Sequence, residues 1–247
     1  MMRLDRWLVT LGTGSRSEVQ RLIRRGAVTV DGLSVTDPGF SCDPVRGSLT
    51  LNGAPVDGRL IRHVMMHKPA GLLTAARDRK QPTVMDLLPP VYAAIGCMPV
   101  GRLDKDTTGL LLLTCDGEMN HRLLSPGRHV DKTYLAEVDG PLTEADVHAF
   151  AMGLTLSDFT AAPAQLEILS SGERATARVT VHEGKFHQVK RMFEARGKKV
   201  LYLKRISMGG IPLDPELAAG QWRPLTDDEI TKLRQESGMS AVSEETL

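Results

Sequence analysis

Few polar residues of this chain stand at spacings that chemistry would use. His182, Glu183 and His187 approach the zinc-protease pattern of two histidines four apart, but the second histidine falls five residues after the first. His63 and His67 are four apart, yet they sit in an apolar stretch that reads as a strand, where that separation is too long for one ion. Asp104, Asp106, Thr108 and Gly109 imitate the opening of a calcium loop, but its twelfth position holds Cys115 where a bidentate glutamate is required. Gly12-Thr13-Gly14 lacks a third glycine and follows no strand, and neither a P-loop nor a GxSxG elbow occurs. The pattern therefore predicts no metal, no nucleotide cofactor and no serine triad. What survives is the loop in "VGRLDKDTTGLLLLTCDGEMNHRLLSP", where Asp104 lies shortly before an apolar strand that begins after Gly109. Loops held on strands commonly carry reactive side chains. On composition and spacing alone, however, a turn-capping role is the commoner one for Asp104 or Asp106.

The elements that must position this loop follow from periodicity. Leu4, Trp7, Leu8 and Leu11 mark one helical face, and Ser15 or Ser17 can cap a second helix that runs to Arg25 and stops at Gly26. Two short strands, 27–30 and 33–35, then flank an Asp31-Gly32 turn, and another, 48–51, ends at Asn52-Gly53. Residues 54–58, with Pro55 and Gly58, read as a linker. Beyond it we expect strands at 61–66, 72–75, 110–114, 133–138, 164–169, 175–182 and 200–206, and helices at 84–88, 118–124, 144–152 and 187–196. Thr143 with Asp146 and Thr226 with Glu229 have capping-box spacing at helix starts. Strands outnumber helices without strict alternation, so the expected class is α+β with a largely antiparallel sheet. The expected layout is a module at 1–58, a larger domain at 59–236 and a disordered tail at 237–247.

Composition narrows the function classes. The N-terminus has no apolar run of the signal-peptide kind, and the run Leu110–Leu113 is far shorter than the roughly 20 residues that span a bilayer. Cys42, Cys97 and Cys115 are odd in number and widely spaced, which predicts reduced thiols and a cytoplasmic protein. Nothing in the pattern requires more than a monomer. The net charge of +1 hides a segregation: Val181 to Arg205 carries eight basic residues against two acids, and the chain beyond Asp214 is acidic. A local basic run can bind phosphates whatever the total charge. Arg16, Arg21, Arg24 and Arg25 gather on the second helix against Glu18 alone.

Helix, arginine-bearing helix and hairpin, in "RLDRWLV" and "SRSEVQRLIRRGAVTVDG", closely resemble the S4 RNA-binding domain, which implies that these four arginines meet RNA phosphates. The Asp104 loop, then "KTY" at Lys132-Thr133-Tyr134 and "EGKFHQVKRMF" at 183–193, is similar to the signature segments of the RsuA-type pseudouridine synthases. "HKPAGLLT", "PTVMDLL" and "GGIPLD…GQWRPLTDDEI" fit the same family, in the same order, to about Leu233.

The resemblance implies a cofactor-free isomerisation that moves the ribose from uracil N1 to C5. It makes Asp104 the nucleophile or ribose base, Lys190 the cation that keeps it charged, and Tyr134 the residue that stacks on the base and serves in removing the C5 proton. Related enzymes often carry Arg where Lys190 stands; Lys supplies the charge without the bidentate fork. By the same likeness Arg102 helps flip the uridine, and Arg191 holds the RNA backbone. The implied partner is ribosomal RNA, with a uridine of 16S rRNA favoured over one of the large subunit. A non-catalytic S4 protein is the reading of another class; it gives no reason for Asp104, Tyr134 and Lys190 to occur together.

Overall fold

The structure is a computed structural model that describes residues 1–44 and 46–239. Its N-terminal unit has two helices, α1 (Leu4–Thr10) and α2 (Arg16–Arg24), followed by β1 (Val28–Val30), β2 (Leu33–Ser34), β3 (Leu49–Leu51) and β4 (Ala54–Val56), in the sheet order β2-β1-β3-β4. Ser15 caps α2 in a full capping box with Glu18. Val19 and Ile23 face inward from α2 onto Leu4, Trp7 and Leu8 of α1, while Arg16, Arg21, Arg24 and Arg25 stay exposed. The stretch 54–58, expected as a linker, is in part strand. Asn52 and Gly53 both take positive φ (50° and 79°), the geometry of a two-residue hairpin loop, and so return the chain as β4. Pro55 is tolerated because β4 is an edge strand. The junction is tied to this unit: the Trp7 indole N–H donates to Gly58 O at 2.8 Å, and Leu60 packs on the same core.

The larger unit is built on a nine-stranded sheet. Its main path uses β5 (His63–Lys68), β6 (Thr108–Thr114), β7 (Lys132–Asp139), β8 (Gln165–Ser170), β9 (Arg174–Val181), β10 (Val200–Met208) and β11 (Trp222–Pro224), in the order β8-β9-β7-β10-β6-β5-β11. Every pairing along that path is antiparallel except β10 with β6, so the sheet is mostly antiparallel, as expected. The helices are α3 (Pro90–Ala94), α4 (Gly117–Leu124), α5 (Glu144–Met152), α6 (Gln188–Glu194) and α7 (Asp227–Glu236). The strand expected at 72–75 reduces to a single bridge, Leu73 to Thr83, and 84–87 is a 3-10 turn rather than an α-helix. Of the two, 72–75 is tied to the loop that carries Asp104, through the Thr74 hydroxyl and Leu103 O.

Leu110–Leu113 reads as an unbroken apolar run because both faces of β6 are covered. Leu111 and Leu113 join a core with Met66, Ala136, Phe150 and Phe193; Leu110 and Leu112 join a second core with Met65, Met208 and Leu233 on the other side. The chain beyond α7 departs from expectation at its start. Ser237 is buried, and Gly238 N–H donates to Gln235 O and Met239 N–H to Arg234 O, the Schellman closure that a Gly with positive φ permits. Residues 240–247 of the expected tail lie outside the described residues.

Candidate active site

Asp104 is held by its backbone before its side chain does anything. Lys68, at the end of β5, is fully buried, and its ammonium donates to the carbonyls of Pro69, Asp104, Lys105 and Thr107 at 3.0–3.3 Å. Four carbonyl acceptors around three N–H donors make a clasp on the loop. Burial lowers the Lys68 pKa to about 8, against the raising influence of Asp106 and Asp104. Thr74 adds a second tie, its hydroxyl donating to Leu103 O at 2.8 Å, and Leu103 anchors the loop in the core. Gly109 ends the loop with φ +101°, and a Cβ there would lie 2.2 Å from Arg205 O, so only glycine lets β6 and β10 meet in parallel register.

The Asp104 carboxylate is a quarter exposed and faces α6. Lys190 Nζ lies 3.1 Å from Asp104 Oδ2 and 2.6 Å from Asp106 Oδ1, and His187 Nε2 lies 3.5 Å from Asp104 Oδ1. Burial works against the charge on Lys190, but the two carboxylates outweigh it and raise its pKa; Lys190 in turn lowers that of Asp106. His187 stands in the left-handed region (φ 51°) just before α6, a turn that brings its ring to the carboxylate and stacks it on the exposed Phe186.

These groups open on a cavity of about 960 Å³ lined by Arg102, Asp104, Lys132, Tyr134, Lys190 and Arg205 among others, room enough for a nucleotide. The sheet brings Tyr134 here: β7 alternates, and Lys132, Tyr134, Ala136 and Val138 all point to its buried face. Arg102 is exposed at the cavity wall. Arg191 is not brought in. Its guanidinium pairs with Asp158 and Ser157 and lies over the Phe159 ring, 5.0 Å from the centroid. In the N-terminal unit, Arg21 and Arg25 line a shallow groove with Thr13, and Arg16 lies 3.9 Å from Asp5.

The RNA pseudouridylate synthase family model matches residues 62–195, more than half of the chain, and the S4 domain model matches residues 2–44. The chain belongs to the RNA pseudouridylate synthase family. Among relatives of this synthase, the ribosomal small subunit pseudouridine synthase A of Pseudomonas aeruginosa is 45% identical, over 93% of this chain and 99% of that one. Its counterpart in Escherichia coli K12 is 40% identical over 94% and 100%. An uncharacterised RNA pseudouridine synthase of Bacillus subtilis is 44% identical over 95% and 99%. A crystal structure of a pseudouridylate synthase, 35% identical, superposes with a TM-score of 0.66 over 94% of this chain and all of its own. Asp104, Tyr134 and Lys190 all fall within the matched segment of the synthase, and so do two residues given no individual role by sequence reasoning, Lys68 and His187. Lys68 could have been noticed as a lysine ending an otherwise apolar strand. His187 lies inside a quoted signature segment, but its place beside Asp104 rests on a backbone turn.

Proposed function

We propose that this synthase isomerises a uridine of ribosomal RNA, in the 16S molecule of the small subunit, with Asp104 as the reacting carboxylate. The observation that carries the reading is the Asp104–Lys190 contact of 3.1 Å on the wall of a nucleotide-sized cavity that Tyr134 also lines. Lys190 is placed to pair with this carboxylate, which would act either by attacking C1′ or by removing a ribose proton. On either route the C1′–N1 bond breaks and its electron pair stays on the uracil. The base turns, C5 bonds to C1′, and the C5 proton leaves. Tyr134 offers a ring to stack on the base and a polar oxygen near it. Arg102, exposed at the cavity wall, would fill the gap left by the flipped uridine. Lys68 acts at one remove, by fixing the loop backbone.

The small-subunit substrate rests on the two relatives named for that activity, which match this chain almost end to end. The exposed arginines of α2 suit contacts to RNA phosphates outside the cavity. Two experiments test the reading. Asp104→Asn keeps shape and removes the charge, so it should abolish pseudouridine formation while RNA affinity stays within about twofold; equal loss of both would overturn the assignment. Carbodiimide mapping of ribosomal RNA from cells with and without the protein should show one small-subunit pseudouridine disappear, and no change at any site would refute the substrate.

A further inference from the structure

Two buried cations in the same cavity have no part in the chemistry assigned so far. Lys132 is 8% exposed and Arg205 1% exposed. Lys132 and Tyr134 are two apart on β7, and Arg205 is the cross-strand partner of Tyr134, so these residues border one patch of the cavity floor. The Lys132 ammonium donates to Val130 O at 2.7 Å. The Arg205 Nε donates to Leu110 O at 2.8 Å, while its Nη2 has no partner among the described residues. No carboxylate lies within ion-pair distance of either among the described residues, and burial together with Arg205 lowers the Lys132 pKa to about 8.

Buried charge without a counter-charge is costly to a folded protein. Such groups persist where a ligand completes them. Elsewhere among the described residues the buried side-chain polar atoms are satisfied. The three that lack partners among the described residues, on Thr107, Asn120 and Arg205, all belong to residues lining this cavity. Of these, Arg205 Nη2 is a donor without an acceptor, so the partner it lacks is an acceptor oxygen, and the burial of the patch bears on which part of the RNA supplies it. Exposed Arg102 suits a backbone phosphate, whereas the burial of Lys132 and Arg205 suits a base turned out of the helix.

We propose that Lys132 and Arg205 bind the carbonyl oxygens of the uracil and stabilise the negative charge left on it when the C1′–N1 bond breaks. The inference rests on the reading of Asp104 as the group that deals with the ribose, and it divides the labour: Asp104 and Lys190 serve the sugar, Lys132 and Arg205 the base. The electron pair of the broken bond spreads from N1 to O2 and O4, where N–H donors can meet it, and returns to bonding when C5 attacks C1′. Donors fixed before the charge develops are the arrangement that lowers such a barrier most.

The test uses the full chain and two free ring compounds, so it does not depend on knowing the RNA. Barbiturate is a uracil-like ring that is already an anion at neutral pH; uracil is neutral. By titration calorimetry the unaltered enzyme should bind barbiturate at least about tenfold more tightly than uracil. Lys132→Met and Arg205→Gln should each erase that preference, Lys132→Arg should keep it, and Asp104→Asn should leave it in place. A wild-type enzyme without the preference, or one whose preference survives both charge-removing variants, overturns the proposal. On a small-subunit rRNA transcript, Lys132→Met should lower kcat about 10²-fold with KM within about twofold; a change confined to KM would again overturn it. Should Lys132→Met or Arg205→Gln melt at a lower temperature than the wild type, Lys132→Gln and Arg205→Met supply the same comparisons. Failure of Asp104→Asn to stop turnover would refute the nucleophile and leave the ring-binding result standing, so the two readings fail separately.

Discussion

Each unit of the molecule buries charge, and Asp5 of one and the floor cations of the other are treated in opposite ways. In the S4 unit Asp5 is 1% exposed, and its carboxylate accepts from Arg3 Nε and Nη2 at 3.1 and 3.0 Å and from Gln20 Nε2 at 3.1 Å. The Arg3 hydrogen bond, helped by Gln20, outweighs burial and lowers its pKa to about 2. That charge is closed on itself and belongs to the fold. In the catalytic unit Lys132 and Arg205 are almost as buried and are left open toward a cavity. Closed networks hold a structure together, and open ones mark where something else must bind. The clasp of Lys68 stands between these cases: its donors are satisfied, but by the backbone of the loop that presents Asp104.

The comparison can be broken at several points. Asp104→Asn should have the largest effect, a fall of more than about 10³-fold in single-turnover rate with an unchanged melting temperature. Loss of either floor cation should come next, as described above. Lys68→Met would strip three loop carbonyls and that of Pro69 of their donor; we expect a loss of about 1–3 kcal/mol in stability and a slower enzyme, read by denaturant unfolding and kcat together. A Lys68→Met enzyme that turns over like the wild type would show that the loop needs no clasp.

Asp5→Asn should cost about 1–2 kcal/mol, discounted because Arg3 is half exposed, and should lower the melting temperature of the S4 unit. Its pH dependence has a definite sign. The folded pKa is lowered, so the stabilisation is whole above the ordinary aspartate value of 3.8 and is lost as pH falls through about 2. The gap between wild type and Asp5→Asn should therefore close in acid, and a gap constant with pH would show that packing, not charge, is responsible. The smallest effect is expected from Arg191→Ala. Its guanidinium is taken up by Asp158, so RNA affinity measured by filter binding should fall less than for Arg102→Ala.

Much of this was legible along the chain because local physics decides it. Ser15 with Glu18 makes a capping box wherever that helix forms, and Asp31-Gly32 turns a hairpin through two positive φ values. The Asn52-Gly53 pair carried the same signal, and Pro55 and Gly58 drew the reading toward a linker; a pairing partner for β4 is not visible one strand at a time. Residues 72–75 look like a strand by composition, yet they make one bridge: the Leu73 backbone pairs only with Pro82 and Val84 among the described residues, and the Thr74 hydroxyl turns to Leu103 O.

The chemistry divides the same way. The resemblance to the synthase signature segments named Asp104, Tyr134 and Lys190, where residue type alone favoured a turn cap for Asp104. It ranked Arg191 beside Arg102, and only the folded chain separates them, by placing Asp158 against one and the cavity beside the other. Lys132 lay inside a recognised motif without a role, and Arg205 stood in a basic run as one charge among many. Sequence determines which groups are present and which local turns they favour. Whether a cation is solvated, closed by a carboxylate or left open depends on what the sheet brings across from other strands, and that is a property of tertiary structure.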